Sequence, residues 1–274
     1  MKLRRASAAL ACGHTEATLA DSPAQMYEKY QVPAIFGPWA QVLIEAALPK
    51  QGEYVLDAAC GTGIVARTVA GRVGKVIGID LDPAMIAAAK EADPKIEWQI
   101  ADLQELPFEN DAFDLVICQQ GIQFAPDRLK AMRELHRVLK VGGRAVLGIW
   151  SELENSPGQA AVFGAMGAML GKDMSKPPPF SFAMQQDVLK HVKEAGFSNV
   201  KDSVKSLNAS YPSARRFTEI MLEGTSKATR QMLDQLPHDR RAALMEEVVE
   251  RLTPYETGTA LEIPNESRII ITIK

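Results

Sequence analysis

A glycine-rich turn between two aspartates is the part of this sequence whose residue types and spacing most clearly suggest chemistry. The turn is Ala58-Ala59-Cys60-Gly61-Thr62-Gly63, and it directly follows Asp57. Its glycines leave room for a ligand to approach the backbone closely, and the helix predicted behind them offers free N–H groups to a negatively charged group. The second aspartate, Asp80, ends the next predicted strand. A carboxylate at that position can accept hydrogen bonds from both hydroxyls of an adenosine ribose.

These residues alone leave two kinds of adenosine ligand open. Gly61, Gly63 and Ala66 satisfy the spacing of the dinucleotide-binding fingerprint. NAD therefore fits as well as S-adenosylmethionine (SAM). A third aspartate, Asp102, follows the third predicted strand. Because parallel sheets bind ligands at the carboxyl ends of their strands, Asp102 could accept a hydrogen bond from an adenine amino group.

The elements that must position these residues alternate along the chain. Short β-branched runs are separated by alanine-rich segments with helical periodicity. The predicted strands here are Tyr54–Asp57, Lys75–Asp80, Lys95–Ile100, Asp114–Cys118 and Arg144–Trp150, and the predicted helices are Ile64–Val73, Pro83–Glu91 and Arg128–Leu139. Such alternation indicates a parallel sheet with helices on both faces. Gly142-Gly143 predicts the end of the third helix, because glycine readily forms a left-handed helix cap.

After Trp150 the pattern changes to amphipathic helices with two further strands. The predicted elements are helices at Ala160–Leu170, Gln185–Ala195, Ala214–Glu223 and His238–Leu252, and strands at Ser198–Leu207 and Ser267–Ile273. We therefore expect a Rossmann-like α/β fold: a seven-stranded, mostly parallel sheet with helices on both faces and a helical cap. The expected boundaries are a disordered tail over residues 1–22 and one domain over residues 23–274, with an N-terminal helical segment at 23–50 and cap elements within 151–182 and 212–258.

Composition narrows the class of partner. The 31 basic and 34 acidic residues are balanced, so no basic face for nucleic acid is expected. The three cysteines form no CxxC pair or Cys/His cluster, and neither a disulfide framework nor a metal site is predicted. No apolar run is long enough for a membrane span, and the apolar stretch after the N-terminal basic residues is too short for a signal peptide. We expect a cytoplasmic protein with a small-molecule substrate; the oligomeric state stays open.

Two further segments favour SAM over NAD as the adenosine ligand. One runs Phe113-Asp114-Leu115-Val116-Ile117-Cys118, and the other runs from Glu134 through His136-Arg137 to Gly143. With the glycine-rich turn, Asp80 and Asp102, this layout over residues 26–150 resembles the class I SAM-dependent methyltransferases. It is most similar to the broad group that includes the ubiquinone/menaquinone-biosynthesis C-methyltransferases and many small-molecule methyltransferases. The resemblance implies SAM as the cofactor and methyl transfer to a small molecule by in-line displacement.

The resemblance also implies roles for individual residues. Asp57 would orient the glycine-rich turn, and Asp80 would hold the ribose hydroxyls. The residues implied to contact other parts of SAM are Ala58, Ala59, Cys60 and Gly61 at the methionine and ribose, Leu81 and Met85 at the adenine, Ala101, Asp102 and Leu103 at the adenine edge, and Gln119 near the transferred methyl group. One position departs from the family pattern, because the family's first loop glycine is Ala59 here.

The remaining candidates come from the segments on either side of this motif. Tyr27, Tyr30 and Phe36 could close over the sulfonium region through cation–π contacts, or the helix that carries them could simply pack on the sheet. Because no histidine lies in an expected site loop, we expect proximity and desolvation to dominate, with Gln119 and Gln123 as catalytic positioning groups. The residues expected to face an apolar or aromatic acceptor are Gln120, Gln123 and Phe124.

Two other functions stay open at this stage. One is a SAM-binding protein without transferase activity, and the other is an NAD-dependent oxidoreductase on the same fold. Whether O, N, C or S would be methylated cannot be read from these residues.

Overall fold

The described residues form a mixed β-sheet of eight strands. The computed structural model describes residues 22–224, 233–258 and 260–274. Within them the strands are β1 (Tyr54–Ala58), β2 (Lys75–Asp80), β3 (Glu97–Ile100), β4 (Phe113–Gln119), β5 (Leu139–Trp150), β6 (Ser198–Tyr211), β7 (Glu256–Thr257) and β8 (Ala260–Ile273). The main order is β3-β2-β1-β4-β5-β8-β6, and the short β7 pairs with β8. Strands β1 to β5 are parallel and β8 runs antiparallel to its neighbours, which confirms the predicted mostly parallel sheet.

Helices cover both faces of this sheet. They are α1 (Pro23–Met26), α2 (Gly37–Ala47), α3 (Ile64–Val69), α4 (Pro83–Ala92), α5 (Arg128–Val138), α6 (Pro157–Leu170), α7 (Gln185–Glu194), α8 (Ala214–Glu223) and α9 (His238–Leu252). One apolar cluster joins α2, α3 and α4 to the sheet and continues into α6, α8 and α9. A second cluster joins α5 and α7 to the opposite face. Successive residues of a strand point to opposite faces of the sheet and so enter different clusters. On β1, for example, Val55 belongs to the first cluster and Leu56 to the second.

A π-helical segment connects α1 to α2. Ser22 caps α1 by accepting from the Gln25 backbone N–H, and the segment Tyr27–Phe36 then continues the helix in the wider π form. Pro33 lies inside the segment and lacks an N–H donor. π-Helices are rare and often occur at functional sites.

Helices α6, α8 and α9 form the cap. They pack on one another and on the ends of β6 and β8, where Tyr211 pairs with Leu261. Close packing depends on Gly158 in α6, because a methyl group there would come 2.9 Å from the Phe217 ring. Because the apolar cluster that contains α2 and α3 continues into α6, α8 and α9, the cap lies on the same face of the sheet as the N-terminal helices.

Several boundaries differ from the sequence expectation: β8 begins at Ala260 instead of Ser267, β5 begins at Leu139 instead of Arg144, and the end of α5 has a different cause. Helix α5 ends at Val138, before Gly142-Gly143, because the chain pairs with β4 from Leu139 onward. Gly142 has φ 78 and lies in an irregular stretch of β5, where its N–H donates to the Lys274 carbonyl. Strand pairing, not a glycine cap, ends this helix.

Two sequence expectations concern the N-terminal tail and membrane-spanning segments. Residues 1–21 of the predicted tail lie outside the described residues. Across the three ranges that the structure covers, no helix is both long and apolar enough to cross a membrane.

Candidate functional site

The glycine-rich loop, residues 58–63, lies between the ends of β1 and β2. The Cys60 N–H donates to the Ile79 carbonyl at 2.8 Å, and the Gly61 N–H donates to Asp80 Oδ2 at 2.8 Å. The loop turns through left-handed backbone at Ala59 (φ 58), Gly61 (φ 55) and Gly63 (φ 86). The carboxylate of Asp80, at the carboxyl end of β2, therefore fixes the glycine-rich loop.

Trp98 on β3 supports the loop from below, and sequence reasoning missed this residue. A methyl group at Gly63 or at Gly78 would overlap the Trp98 ring. The indole Nε1 donates to the Asp93 carbonyl at 2.8 Å, which fixes the ring in this position. The sequence shows only a large aromatic residue and two glycines on neighbouring elements. The register of β2 and β3 must be known before they can be predicted to be in contact.

Asp80 keeps acceptor capacity after its protein contacts are made. Oδ1 accepts from the Asp82 N–H at 2.9 Å and Oδ2 accepts from Gly61. Burial raises the pKa of this carboxyl group, while the two backbone N–H donors oppose the shift. Each carboxylate oxygen can accept a second hydrogen bond, so Asp80 can still bind a pair of hydroxyl groups.

Asp57 carries a buried oxygen without a partner. Its Oδ2 accepts from the Ala66 N–H at 2.8 Å in the first turn of α3, whereas Oδ1 has no hydrogen bond. Burial, and then the nearby Asp80 carboxyl group, raise the pKa of Asp57 to about 7. A buried, unpaired carboxylate oxygen is costly, and a cationic group nearby would stabilise its ionised form.

The ends of β2 and β3 lie side by side. The Ala101 N–H donates to the Asp80 carbonyl at 3.0 Å, and Asp102 accepts from the Gln104 N–H at 2.8 Å. Two apolar side chains stand open to solvent here: Leu81 is 65% exposed, and Ile100, which sequence reasoning did not select, is 56% exposed. An adenine ring would cover such apolar surface at this edge.

The loop after β3 is held by the motif that marks α5. Arg137 donates to the Leu106 and Phe108 carbonyls, and Glu134 accepts from the Leu106 N–H at 2.7 Å. This contact explains why a glutamate and an arginine three residues apart accompany the site although neither lies in it.

The N-terminal π-helical segment covers the glycine-rich loop. The Tyr27 ring lies against Gly61, and Glu28 pairs with Arg67 of α3 at 2.8 Å. At its other end the Phe36 carbonyl accepts from Gln119 Nε2 at 2.8 Å. Burial, together with the Asp80 and Asp57 carboxyl groups, raises the pKa of Tyr27 well above its ordinary value, so the phenol stays protonated.

An aromatic row continues from this segment towards the cap. Its members are Tyr27, Phe36, Trp150, Phe180 and Phe163, with successive ring centroids 4.7, 6.3, 6.4 and 6.3 Å apart. These separations are typical of favourable aromatic pairs. The row joins the glycine-rich loop to helix α6 by an apolar wall.

Three glutamines at and after the end of β4 are buried, and each has unsatisfied amide atoms. The loop after β4 comprises residues 120–125. Gln119 and Gln120 each use Nε2, on Phe36 and on Ser267 Oγ, and each leaves Oε1 without a partner. Gln123 is 1% exposed and has no partner for either amide atom. Phe124, in contrast, is 55% exposed.

The two described cysteines are unreactive thiols. Burial raises the pKa of Cys60 well above its ordinary value, and burial raises the pKa of Cys118 to about 12. Both are protonated near neutral pH, so neither provides a thiolate nucleophile.

The structure brings most of the sequence-predicted residues to one edge of the sheet. The residues at the ends of β1 to β4 or directly beside them are Asp57, Ala58, Ala59, Cys60, Gly61, Asp80, Leu81, Ala101, Asp102, Leu103 and Gln119. Met85 follows in the first turns of α4 and is half-buried. Tyr27 and Phe36 join this edge, but the Tyr30 ring lies 4.7 Å from the Arg216 guanidinium of α8. The Gln120 amide instead packs against β5 and β8, beside Gly148 and Ser267.

Comparison with known sequences gives one family model and a set of related enzymes. A family model described as a methyltransferase domain matches residues 56–147. The demethylmenaquinone methyltransferase of Staphylococcus aureus strain JH9 is 32% identical over 186 residues, which cover 60% of this chain and 75% of the relative. The matched region contains the glycine-rich loop, Asp80, Asp102 and the Glu134–Arg137 contact.

Solved structures share the fold. The YcgJ protein from Bacillus subtilis superposes with a TM-score of 0.58 at 18% identity, over 86% of this chain and 97% of that one. The phosphoethanolamine N-methyltransferase 2 of Haemonchus contortus, in complex with SAM, gives 0.54 at 21% identity, over 93% of this chain and 60% of that one. At such identities the likeness shows the fold alone.

Proposed function

Because the chain belongs to the class I SAM-dependent methyltransferases, in the group that contains the quinone-biosynthesis enzymes, we propose that it methylates a small apolar or aromatic acceptor held between the loop after β4 and the aromatic row. The chain is a SAM-dependent methyltransferase of a small molecule. The proposal concerns the nature of the acceptor and the residues that act on it.

The residues at the ends of β1 to β3 fit SAM. Asp80 has free acceptor capacity for two ribose hydroxyls, and the unpaired Oδ1 of Asp57 suits the cationic amino group of the methionine part. Exposed Leu81 and Ile100 offer apolar surface for the adenine, and we infer that Met85, Ala101, Asp102 and Leu103 would contact the same ring. When bound, SAM would supply a methyl group on a positively charged sulfur, so that a nucleophile in line with the C–S bond could take up the methyl carbon while that bond breaks and the neutral thioether leaves.

The protein contributes to this reaction mainly by positioning and by excluding water. Tyr27 and the Phe36 carbonyl cover the site from the N-terminal segment, and Gln119 links that cover to β4. Holding two reactants in near-attack geometry can contribute about 7–11 kcal/mol. Protonated thiols at Cys60 and Cys118 leave covalent catalysis by these two residues without support.

The observation that carries the acceptor side of this proposal is Gln123. A fully buried amide with neither atom paired is unfavourable by several kcal/mol unless another molecule supplies the partners. Its backbone carbonyl accepts from Arg128, which also donates to Ser181 Oγ at 2.8 Å, so the loop is tied to the segment between α6 and α7. These contacts hold the backbone that carries Gln123, while both amide atoms of its side chain remain without a partner in the protein.

Replacing Gln123 with methionine is expected to separate activity from stability. Methionine keeps the volume but brings no strong hydrogen-bonding group, so the variant should unfold at the same temperature as the wild type or higher. Loss of one or two hydrogen bonds to the acceptor should lower kcat/KM about tenfold. The dissociation constant of SAM, measured by calorimetry, should change by less than about threefold. Equal losses in SAM affinity and in turnover would contradict the assigned role.

Affinity for SAM is expected to rise with pH because of Asp57. The pKa of this group is about 7 in the free protein, so at lower pH most molecules must lose a proton before a cationic amino group is paired. Binding lowers that pKa, and the affinity should increase roughly tenfold from pH 5.5 to pH 7. Above this window the α-amino group of the ligand itself begins to titrate near pH 7.7–8.0.

The Asp57→Asn variant is the matched control, because its side-chain oxygen can still accept from Ala66. Its SAM affinity should be nearly flat over the same range. Calorimetry in buffers of different ionisation enthalpy counts the protons released by the wild type. No proton release, or the same slope in both proteins, would remove Asp57 from this role.

Incubation with methyl-labelled SAM and a metabolite extract tests the proposal directly. Label should move to an apolar or aromatic compound, and demethylmenaquinone, named in the S. aureus relative, is the first pure acceptor to test. Transfer to a strongly charged metabolite would contradict the proposed acceptor class. Binding of SAM without any transfer would support a SAM-binding protein without this activity, and tight binding of NAD instead would support the oxidoreductase.

The proposal extends to partners and place of action. The balanced charge of the chain supports an acceptor that is neither nucleic acid nor another acidic macromolecule that would bind in a basic groove. A cytoplasmic place of action fits the reduced, buried cysteines, since disulfides are rare in that compartment.

A further inference from the structure

The glycine-rich loop carries an alanine where its backbone favours glycine. Ala59 has φ 58, in the left-handed region that disfavours every residue with a Cβ atom. Its neighbours with the same handedness, Gly61 and Gly63, are glycines. The methyl group of Ala59 therefore stands on a backbone conformation that glycine would adopt at a lower free-energy cost.

Gly121, in the loop after β4, shows the reverse situation. Its φ of −108 and ψ of −44 lie in a region open to any residue, so the backbone does not require glycine. A methyl group at Gly121 would overlap Cβ of Ala59 and come 3.1 Å from Cys118 Sγ. Space is what requires glycine at 121, and the Ala59 methyl group is the atom that first fills it.

Both loops are anchored to the sheet, but Gly121 lies between the anchors of the second loop. The glycine-rich loop is fixed to β2 by the Cys60 and Gly61 N–H groups, and Trp98 packs beneath it. The loop after β4 is anchored before Gly121, where the Gln120 N–H donates to the Gly148 carbonyl at 2.9 Å, and after it, where Arg128 donates to the Gln123 carbonyl at 3.3 Å. A change in the space between Ala59 and Gly121 should therefore move the stretch of the second loop between Gln120 and Gln123.

We propose that Ala59 is a positioning residue whose methyl group sets the distance between the glycine-rich loop and the loop after β4, with Gly121 making room for it. The inference rests on the proposed function, in which the first loop holds SAM and the second faces the acceptor. The departure from the family's glycine is then a paired feature: alanine at 59 goes with glycine at 121.

A double-mutant cycle tests this pairing. In Gly121→Ala the crowded loop must shift by about 1 Å, and misplacement on that scale can lower turnover up to about a hundredfold. We expect kcat to fall at least tenfold and the Tm to fall by several degrees, while the Kd of SAM changes less than threefold. Ala59→Gly removes the overlapping methyl group, so the double variant should recover most of the lost kcat and Tm.

A matched control separates this effect from a general effect of alanine. Gly71→Ala adds a methyl group where nothing lies within 4 Å and the backbone is not left-handed, and its effect should be the same in the wild type and in the Ala59→Gly background. If Gly121→Ala loses as much in the Ala59→Gly background as in the wild type, the pairing is wrong. If it lowers Tm but leaves kcat unchanged well below the Tm, the positioning role is wrong.

The readouts keep this inference distinct from the proposed function. Unfolding and SAM titration need no acceptor, so the pairing can be read even if the wild type fails to methylate the compounds tested. Should Gly121→Ala not fold, recovery of a folded, SAM-binding protein in the double variant becomes the decisive measurement. An unfolded double variant would overturn the pairing.

Discussion

Replacing Asp80 with alanine is expected to weaken SAM binding by a factor of at least about 100. Two hydrogen bonds from ribose hydroxyls to a carboxylate are worth about 1.5–3 kcal/mol each, or 10²-fold to 10⁴-fold together. The loss also frees the Gly61 N–H, which Asp80 accepts at 2.8 Å, so the glycine-rich loop loses its anchor. Isothermal titration with SAM and with its demethylated product measures the change.

Asp82→Asn is the control for the loss of a negative charge beside this site. Asp82 is exposed and caps α4 by accepting from the Ala84 N–H at 2.8 Å, a role that asparagine fills equally well. This variant should bind SAM as the wild type does. A dissociation constant within fivefold of the wild type for Asp80→Ala would show that the ribose is held elsewhere.

Replacing Gly63 with alanine is expected to have the largest effect on stability of the substitutions considered. The residue has φ 86, and an added methyl group would overlap the Trp98 ring. Left-handed backbone costs about 1–2 kcal/mol, and overpacking adds about 1–3 kcal/mol. We expect the free energy of unfolding, measured in urea, to fall by about 3 kcal/mol, with weaker SAM binding because the loop must shift.

Gly52→Ala isolates the contribution of Trp98. Gly52 has φ 87, and no atom lies within 4 Å of the position of an added methyl group. It therefore shares the backbone penalty of Gly63 without the overlap, and we expect it to lose only about 1 kcal/mol. If both variants lost the same free energy, Trp98 would not support the loop. A smaller effect of Gly63→Ala in a Trp98→Leu background would confirm the contact.

Much of the fold could be predicted because its signals are local. β-Branched runs and alanine-rich periodic segments locate the strands and helices, and α8 at Ala214–Glu223 and α9 at His238–Leu252 were predicted with the observed bounds. The error at α5 has the same origin: Gly142-Gly143 is a valid local stop signal, but pairing of Leu139 with β4 acts first. Long-range pairing is invisible to a pattern read along the chain.

The candidate site also contains residues that the sequence could predict and contacts that it could not. Asp57, Asp80 and Asp102 could be selected because a parallel sheet places consecutive strand ends at one edge. The partners of Gln120 and Tyr30 could not be predicted, because Ser267 and Arg216 reach them from β8 and α8, far along the chain.

The sequence by itself determined the order of the elements, the glycine-rich loop and the family, since each depends on residues close together in the chain. Only the tertiary structure decided that Trp98 lies beneath Gly63, that Ala59 faces Gly121, and that the π-helical segment covers the loop. These contacts depend on strand register and side-chain volume, which become fixed only when distant segments pack together.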